Sequence, residues 1–170
     1  MKSRNPSESL AVKTEIVMPD HTNTLGNLMG GKLLHWMDMI SAVSAHRHCN
    51  RVVVTSSVNH VSFNKPIRLG DIVTLEAKVS RAFTSSMEVF IDVWVESHDT
   101  GEKTKCNEAI FSFVAVDQRG RPIEVPSIQP ETVLEKQRYD GALRRRQLAL
   151  ILAGKMSPDD ATELRAIFPS

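Results

Sequence analysis

The chain carries one long stretch of helical period, placed early, and almost only strand patterns after it. Between Gly31 and His48, Leu33, Leu34, Met37, Ile40, Ser41 and Ser44 recur at i, i+3 and i+4 and share one face. Small residues (Ser41, Ala42, Ser44, Ala45) fill the second half, so a sheet can approach that half closely. Val52–Phe63 is then a β-rich run closed by Asn64-Lys65-Pro66. After Leu69-Gly70-Asp71, Val73, Leu75, Ala77 and Val79 alternate with Thr74, Glu76 and Lys78. In the next run Met87, Val89, Ile91, Val93 and Val95 point one way, and Glu88, Phe90, Asp92, Trp94 and Glu96 the other. Lys105–Val116 is the last strand, and a looser one, Leu10–Val17, precedes the helix. One helix followed by consecutive strands on short turns predicts an α+β fold. In it, an antiparallel sheet of five to six strands curls around a long central helix.

After Pro130 the composition turns charged and helical. Glu131–Leu152 reads as one helix, and Ser157-Pro158-Asp159-Asp160 as the cap and first turn of a short last one. The expected division is therefore a sheet-and-helix domain over 9–128 and a helical extension over 129–170, with a frayed polar start at Met1–Glu8. Apolar residues make up 41% of the 170, enough for a real core, and a net charge of +1 gives no general reason to expect nucleic acid or an anionic membrane as partner. Cys49 and Cys106 form no CxxC pair and read as free thiols. With no apolar leader at Met1–Leu10 and no run able to span a bilayer, the expected location is cytoplasmic.

Chemistry concentrates between His21 and Asp38. Gly30-Gly31 stands where the helix begins, and its N–H groups could polarise a carbonyl; close packing of helix on strand is the other reading. Asp38 borders the apolar stripe as a general base, a nucleophile or a carboxylate paired with a nearby Lys or Arg. Asn23, in the loop before the helix, either donates to a carbonyl or closes an Asx-turn. His46-Arg47-His48-Cys49 is no metal site, because i, i+2 residues on a helix do not converge. His35 and His60 read as interface or strand histidines. Ser41 and Ser44 lack a nucleophile elbow. Arg144-Arg145-Arg146 is a solvated helix face or a phosphate contact.

Taken in order, Asn23–Asp38, Val54-Thr55-Ser56-Ser57-Val58, the Phe63–Asp71 stretch with Pro66 and Gly70, Lys78–Glu88 and Phe111–Val116 resemble the hotdog-fold acyl-CoA thioesterases that carry a C-terminal helical extension. The resemblance covers about residues 10–150. It implies hydrolysis of acyl-CoA to a fatty acid and coenzyme A, with no metal and no cofactor beyond the coenzyme A of the substrate. Asp38 matches the family's catalytic carboxylate and Asn23 its partner asparagine, the two meeting across a dimer. Gly31 would help polarise the thioester carbonyl. Gly30, Ser56, Ser57, Val58, Ser85, Ser86 and Met87 would line the coenzyme A channel, and Arg146 would contact the nucleotide. Assembly as a trimer of dimers is implied as well; Ile151–Ser170 matches nothing of use. Two alternatives stand beside this reading. One is a hotdog dehydratase of hydroxyacyl thioesters, although no histidine here occupies the matching position. The other is a module that binds acyl-CoA without turning it over.

Overall fold

The computed structural model describes every residue except His60, Asn64 and Ser170. It divides into two compact units, Met1–Gln129 and Pro130–Ser170.

In the first unit the elements are β1 (Ala11–Ile16), α1 (Gly30–Cys49), β2 (Val52–Asn59), β3 (Ile72–Ala82), β4 (Ser86–Glu96) and β5 (Lys103–Val116). All strand pairs are antiparallel and the sheet order is β1-β3-β4-β5-β2, five strands in all. β1 and β2 are therefore the two edges, and α1 is the connection between them. To pass from one edge to the other it must cross a face of the sheet, which is how a single helix becomes the centre of the fold. Leu75, Val79, Met87, Val89, Ile91, Val93, Phe111 and Phe113 pack from the sheet, each at most 1% exposed. From α1 come Leu33, Trp36, Met37, Ile40, Ala45 and the small Ser41 and Ser44.

Three local expectations shift. The α1 stripe is rotated: Trp36 is buried and Leu34 only half-buried, because the indole packs edge-on against the His21 ring with centroids 5.2 Å apart. Met1–Glu8 does not simply fray. The Arg4 N–H donates to Ser127 O (3.0 Å) and the Gln129 N–H to Arg4 O (2.9 Å). A short 3-10 turn at Pro6–Ser9 follows, and the buried Ser9 hydroxyl accepts the Val79 N–H at 2.9 Å. Lastly, β2 is assigned as far as Asn59; His60 and Asn64, expected at the end of that run, lie outside the described residues.

At the far end of α1, His48 is fully buried and its Nε2–H donates to Pro126 O at 2.6 Å. Burial pushes the imidazole below its ordinary pKa, so it is held neutral. Asn50, in the left-handed region at φ 54°, ends the helix.

In the second unit α2 (Val133–Leu152) begins after a capping box. The Thr132 hydroxyl accepts the Glu135 N–H (3.1 Å) and the Glu135 carboxylate accepts the Thr132 N–H (3.2 Å), which is why the helix starts later than Glu131. The Ser157 hydroxyl accepts the Asp159 N–H at the next turn, and α3 (Thr162–Arg165) follows. The Gln147 side chain ties α2 to α3 by accepting the Leu164 N–H at 2.9 Å.

Candidate active site

Asp38 lies near the middle of α1, half-buried, and β2 passes beside it. Thr55 Oγ1 donates to Asp38 Oδ1 at 2.7 Å. Among the described residues the carboxylate has no ion-pair partner, so the Lys or Arg pairing is not what holds it. Thr55 reaches Asp38 because it shares the inward face of β2 with Val53, and a β-bulge follows it. Thr55 pairs with Phe113 and Ser57 with Ser112, leaving Ser56 as the extra residue. The bulge keeps Val53, Thr55 and Val58 opposite Ala115, Phe113 and Phe111, the inward-facing residues of β5. Thr55 is the functional candidate that the sequence alone did not single out, although it sits inside one of the motifs.

The other cluster forms where α1 begins. Residues 21–23 and 27–29 run side by side: the Met29 N–H donates to His21 O (2.9 Å) and the Asn23 N–H to Asn27 O (2.9 Å). Asn23 Oδ1 accepts the Leu25 N–H (2.9 Å) and the Asn27 N–H (3.2 Å). The turn-closing reading of Asn23 is therefore the one these bonds show. Its oxygen closes the turn, and the amide nitrogen of this exposed residue is a pure donor.

No side chain caps α1, whose N-cap is Met29. The Lys32 and Leu33 N–H groups turn back to Met29 O, which leaves those of Gly30 and Gly31 at the positive end of the helix. A Cβ at Gly30 would meet the Phe63 ring at 3.4 Å, whereas one at Gly31 would meet nothing within 4 Å. Packing within the chain thus accounts for a small residue at Gly30 and not at Gly31. Asn23 and Gly30 line a cleft of about 330 Å³ together with Leu28, Leu33, Phe63 and Ile67.

Asp38 does not line that cleft. It stands eight residues beyond Gly30, about 12 Å along the helix axis. Within one chain the structure therefore separates Asn23 and Gly31 from Asp38 and Thr55.

The residues expected to hold coenzyme A are scattered. Ser57 and Val58 are exposed on β2, and Ser56 donates from its hydroxyl to Ser112 O (3.1 Å). Ser85 and Ser86 are half-buried at the turn into β4, and Ser86 lies opposite Val114, which pairs with Val54 on its other side. Two strand spacings, about 10 Å, thus separate Ser86 from β2. Met87 is a correction. Its side chain points into the core, 1% exposed, because it is the first inward residue of β4, opposite Phe113, and it cannot line a channel. Arg146 is exposed on α2, in the second unit.

The model of the thioesterase superfamily matches residues 25–102. The acyl-CoA thioester hydrolase YkhA of Bacillus subtilis, itself called uncharacterized, is 43% identical over 144 residues, 85% of this chain and 84% of its own. A hexameric acyl-CoA thioesterase solved in its apo form superposes with a TM-score of 0.86 at 37% identity, over 90% of this chain and 98% of that one. The acyl-CoA hydrolase of Staphylococcus aureus, solved with butyryl coenzyme A, coenzyme A and coenzyme A disulfide, gives 0.82 at 36% identity over 90% and 95%. That enzyme has also been solved as three single alanine variants, of an Asn, an Asp and a Thr. In its sequence the Asn lies 15 residues before the Asp and the Thr 17 after it, the same spacing as Asn23, Asp38 and Thr55. Sharing this much sequence and fold with them, the chain belongs to the thioesterase superfamily, among its acyl-CoA thioester hydrolases.

Proposed function

We propose that the protein hydrolyses acyl-CoA to a carboxylic acid and coenzyme A at a site assembled from two subunits. The observation that carries this reading is the Asp38 carboxylate, oriented by Thr55 through one oxygen and bound by no cation among the described residues. Its other oxygen can take a proton from water as that water attacks the thioester carbonyl. The carbon–sulfur bond then breaks and the sulfur leaves as thiolate, to be protonated to the free thiol. Alternatively the carboxylate attacks the carbonyl first and expels the sulfur as thiolate, giving an anhydride that water opens to the carboxylic acid and the free Asp38 carboxylate. In either route the Asn23 amide and the Gly31 N–H stabilise the carbonyl oxygen as it gains charge. No cofactor is needed beyond the coenzyme A of the substrate.

Two subunits are required because Gly31 and Asp38 stand seven residues apart, about 10 Å along the axis of one helix. The β2 edge supports the pairing. Among the described residues its outer edge has no strand partner, and along this strand Val52, Val54 and Val58 are 66%, 48% and 43% exposed. A second copy that covers this edge protects it and brings one half-site toward the other. A higher assembly, a trimer of dimers, agrees with the hexameric relative. In the same reading Ser56, Ser57, Ser85 and Ser86 flank the coenzyme A, Arg146 meets its phosphates, and the enzyme works in the cytoplasm.

Asp38→Asn keeps the shape and removes the charge. Its kcat is expected to fall by roughly 10²–10⁴-fold while coenzyme A still binds; hydrolysis at the parent rate would refute the assignment. Mixing Asp38→Asn with Asn23→Ala subunits should restore part of the activity, since one of the two sites in a mixed dimer is intact. Single turnover in labelled water distinguishes the two routes, because label enters the Asp38 carboxylate only through the anhydride.

A further inference from the structure

Asn23 stands in an exposed loop, yet that loop is tied to a turn elsewhere in the chain. The Leu28 N–H donates to Ile67 O (2.7 Å) and the Leu69 N–H to Gly26 O (2.9 Å), which zips residues 26–28 to residues 67–69. Asn27 lies between these bonds, and Asn23 engages both its N–H and its carbonyl. The turn at 67–71 therefore supports the loop that carries Asn23. It is built on a buried carboxylate. Asp71 is 5% exposed, and its Oδ2 accepts the Arg68 N–H at 2.9 Å, which closes the turn. Its Oδ1 accepts the His98 backbone N–H (3.0 Å) and the ring at Nδ1 (2.6 Å). An ionised carboxylate only accepts, so the proton of that second bond sits on Nδ1. Burial alone would raise the Asp71 pKa; the His98 ring and the two backbone N–H groups outweigh it and hold the carboxyl below its ordinary range. The other ring nitrogen, Nε2, faces Asp99 Oδ1 at 3.0 Å, and Gly70, at φ 90°, leaves the ring room to lie against the turn.

One of these three bonds suffices to close a turn. The other two come from His98, in the hairpin between β4 and β5, and β4 is the middle strand of the sheet. We infer that Asp71 and His98 are positioning residues for the hydrolysis: they tie the Asn23 loop to the centre of the sheet and so hold the Asn23 amide at one place against the thioester carbonyl. The inference rests on the hydrolase reading above, which takes Asn23 as a donor to that carbonyl. Both residues act through Asn23, so their removal should matter only while Asn23 is present.

The test is a double-mutant cycle on thiol release from acyl-CoA. His98→Ala deletes the ring bond to Asp71 and should lower kcat by about tenfold, since small misplacements of a reacting or stabilising group are costly. KM should change by less than about twofold, because the donor bonds the oxygen most strongly once it carries charge. His98→Asn, whose amide nitrogen can stand where Nδ1 stood, should bring kcat back to within about threefold of the parent. In Asn23→Ala protein, adding His98→Ala should change kcat by less than about twofold, because the group it positions is gone. A ring that merely supported the fold would cost the same in both backgrounds. Hydrogen exchange gives a readout apart from activity: the Asn27 and Leu28 N–H groups should exchange at least about fivefold faster in His98→Ala than in the parent. Parent kcat in His98→Ala, no recovery in His98→Asn, equal losses in the two backgrounds, or unchanged exchange at Asn27 would each overturn the positioning role. Asn23→Ala at the parent rate would overturn the donor role of Asn23, and this inference with it. Failure of every acyl-CoA to release thiol would instead overturn the hydrolase reading, and the exchange rates would still decide whether His98 holds the Asn23 loop.

Discussion

α1 and α2 are each twenty residues long, yet different forces make them helices. α2 is written locally. Thr132 and Glu135 cap it reciprocally, its interior is rich in Leu, Arg, Gln and Ala, and it buries three residues. α1 opens on two glycines, has no side-chain cap, and buries nine. Its stability comes from the sheet around it. A helix held by packing along its length can leave its first N–H groups and one mid-helix carboxylate without structural duties. The candidate chemistry lies on α1 for that reason.

The sharpest attack on this contrast is a pair of truncations. Met37→Ala, at a fully buried α1 position, should cost roughly 2–5 kcal/mol in urea unfolding. Leu148→Ala, 42% exposed on α2, should change stability by no more than about 0.5 kcal/mol. Equal costs would mean that burial is not what distinguishes the helices. Next in size is Thr55→Val. A hydrogen bond to a carboxylate contributes about 1.5–3 kcal/mol, so losing it should lower kcat by roughly ten- to a hundredfold. The melting temperature should hardly move, since the pair is not in the core. Parent activity in that variant would show that Asp38 needs no orienting partner.

A smaller effect separates the two helix starts. Thr132→Ala should remove about 1 kcal/mol by deleting the cap, visible in thermal unfolding followed by circular dichroism, while Met29→Ala at the start of α1 deletes no capping bond. The weakest signal concerns the end of α1. His48 is held neutral with its pKa below the usual value, so below about pH 6.5 the unfolded chain takes up a proton that the native one does not. Stability should therefore fall as pH drops from 6.5 toward the depressed native pKa. Urea midpoints at pH 7.5 and 5.5 should draw closer together in His48→Gln.

What the sequence revealed follows from how local each signal is. The period of two in β3 and β4 survives because the inward residues of each strand pack against α1. The α1 boundaries lie within one residue of the glycine pair and Asn50. Trp36 escaped because nothing next to it in sequence announces His21, the ring it packs against. Thr55 escaped for a related reason. Threonine is an ordinary strand residue, and nothing beside it in sequence announces that its face of β2 passes Asp38, 17 residues earlier. The bonds of Arg4 to Ser127 and Gln129 join the two ends of the first unit, beyond the reach of any periodicity. Met87 shows the opposite failure: its place in a matching motif suggested a channel contact, while its own alternation with Val89 and Ile91 had already assigned it to the core.

Gly31 sets a trap for anyone engineering this protein for robustness. By the usual criteria it is an inviting site for replacement: a helical glycine with open space where a methyl would go. Alanine there should add about 0.5–1 kcal/mol to the helix. If Gly31 stands against a bound thioester, that methyl occupies room meant for the substrate. A screen that selects survivors of heat would enrich Gly31→Ala, and only an assay for released thiol would expose the loss.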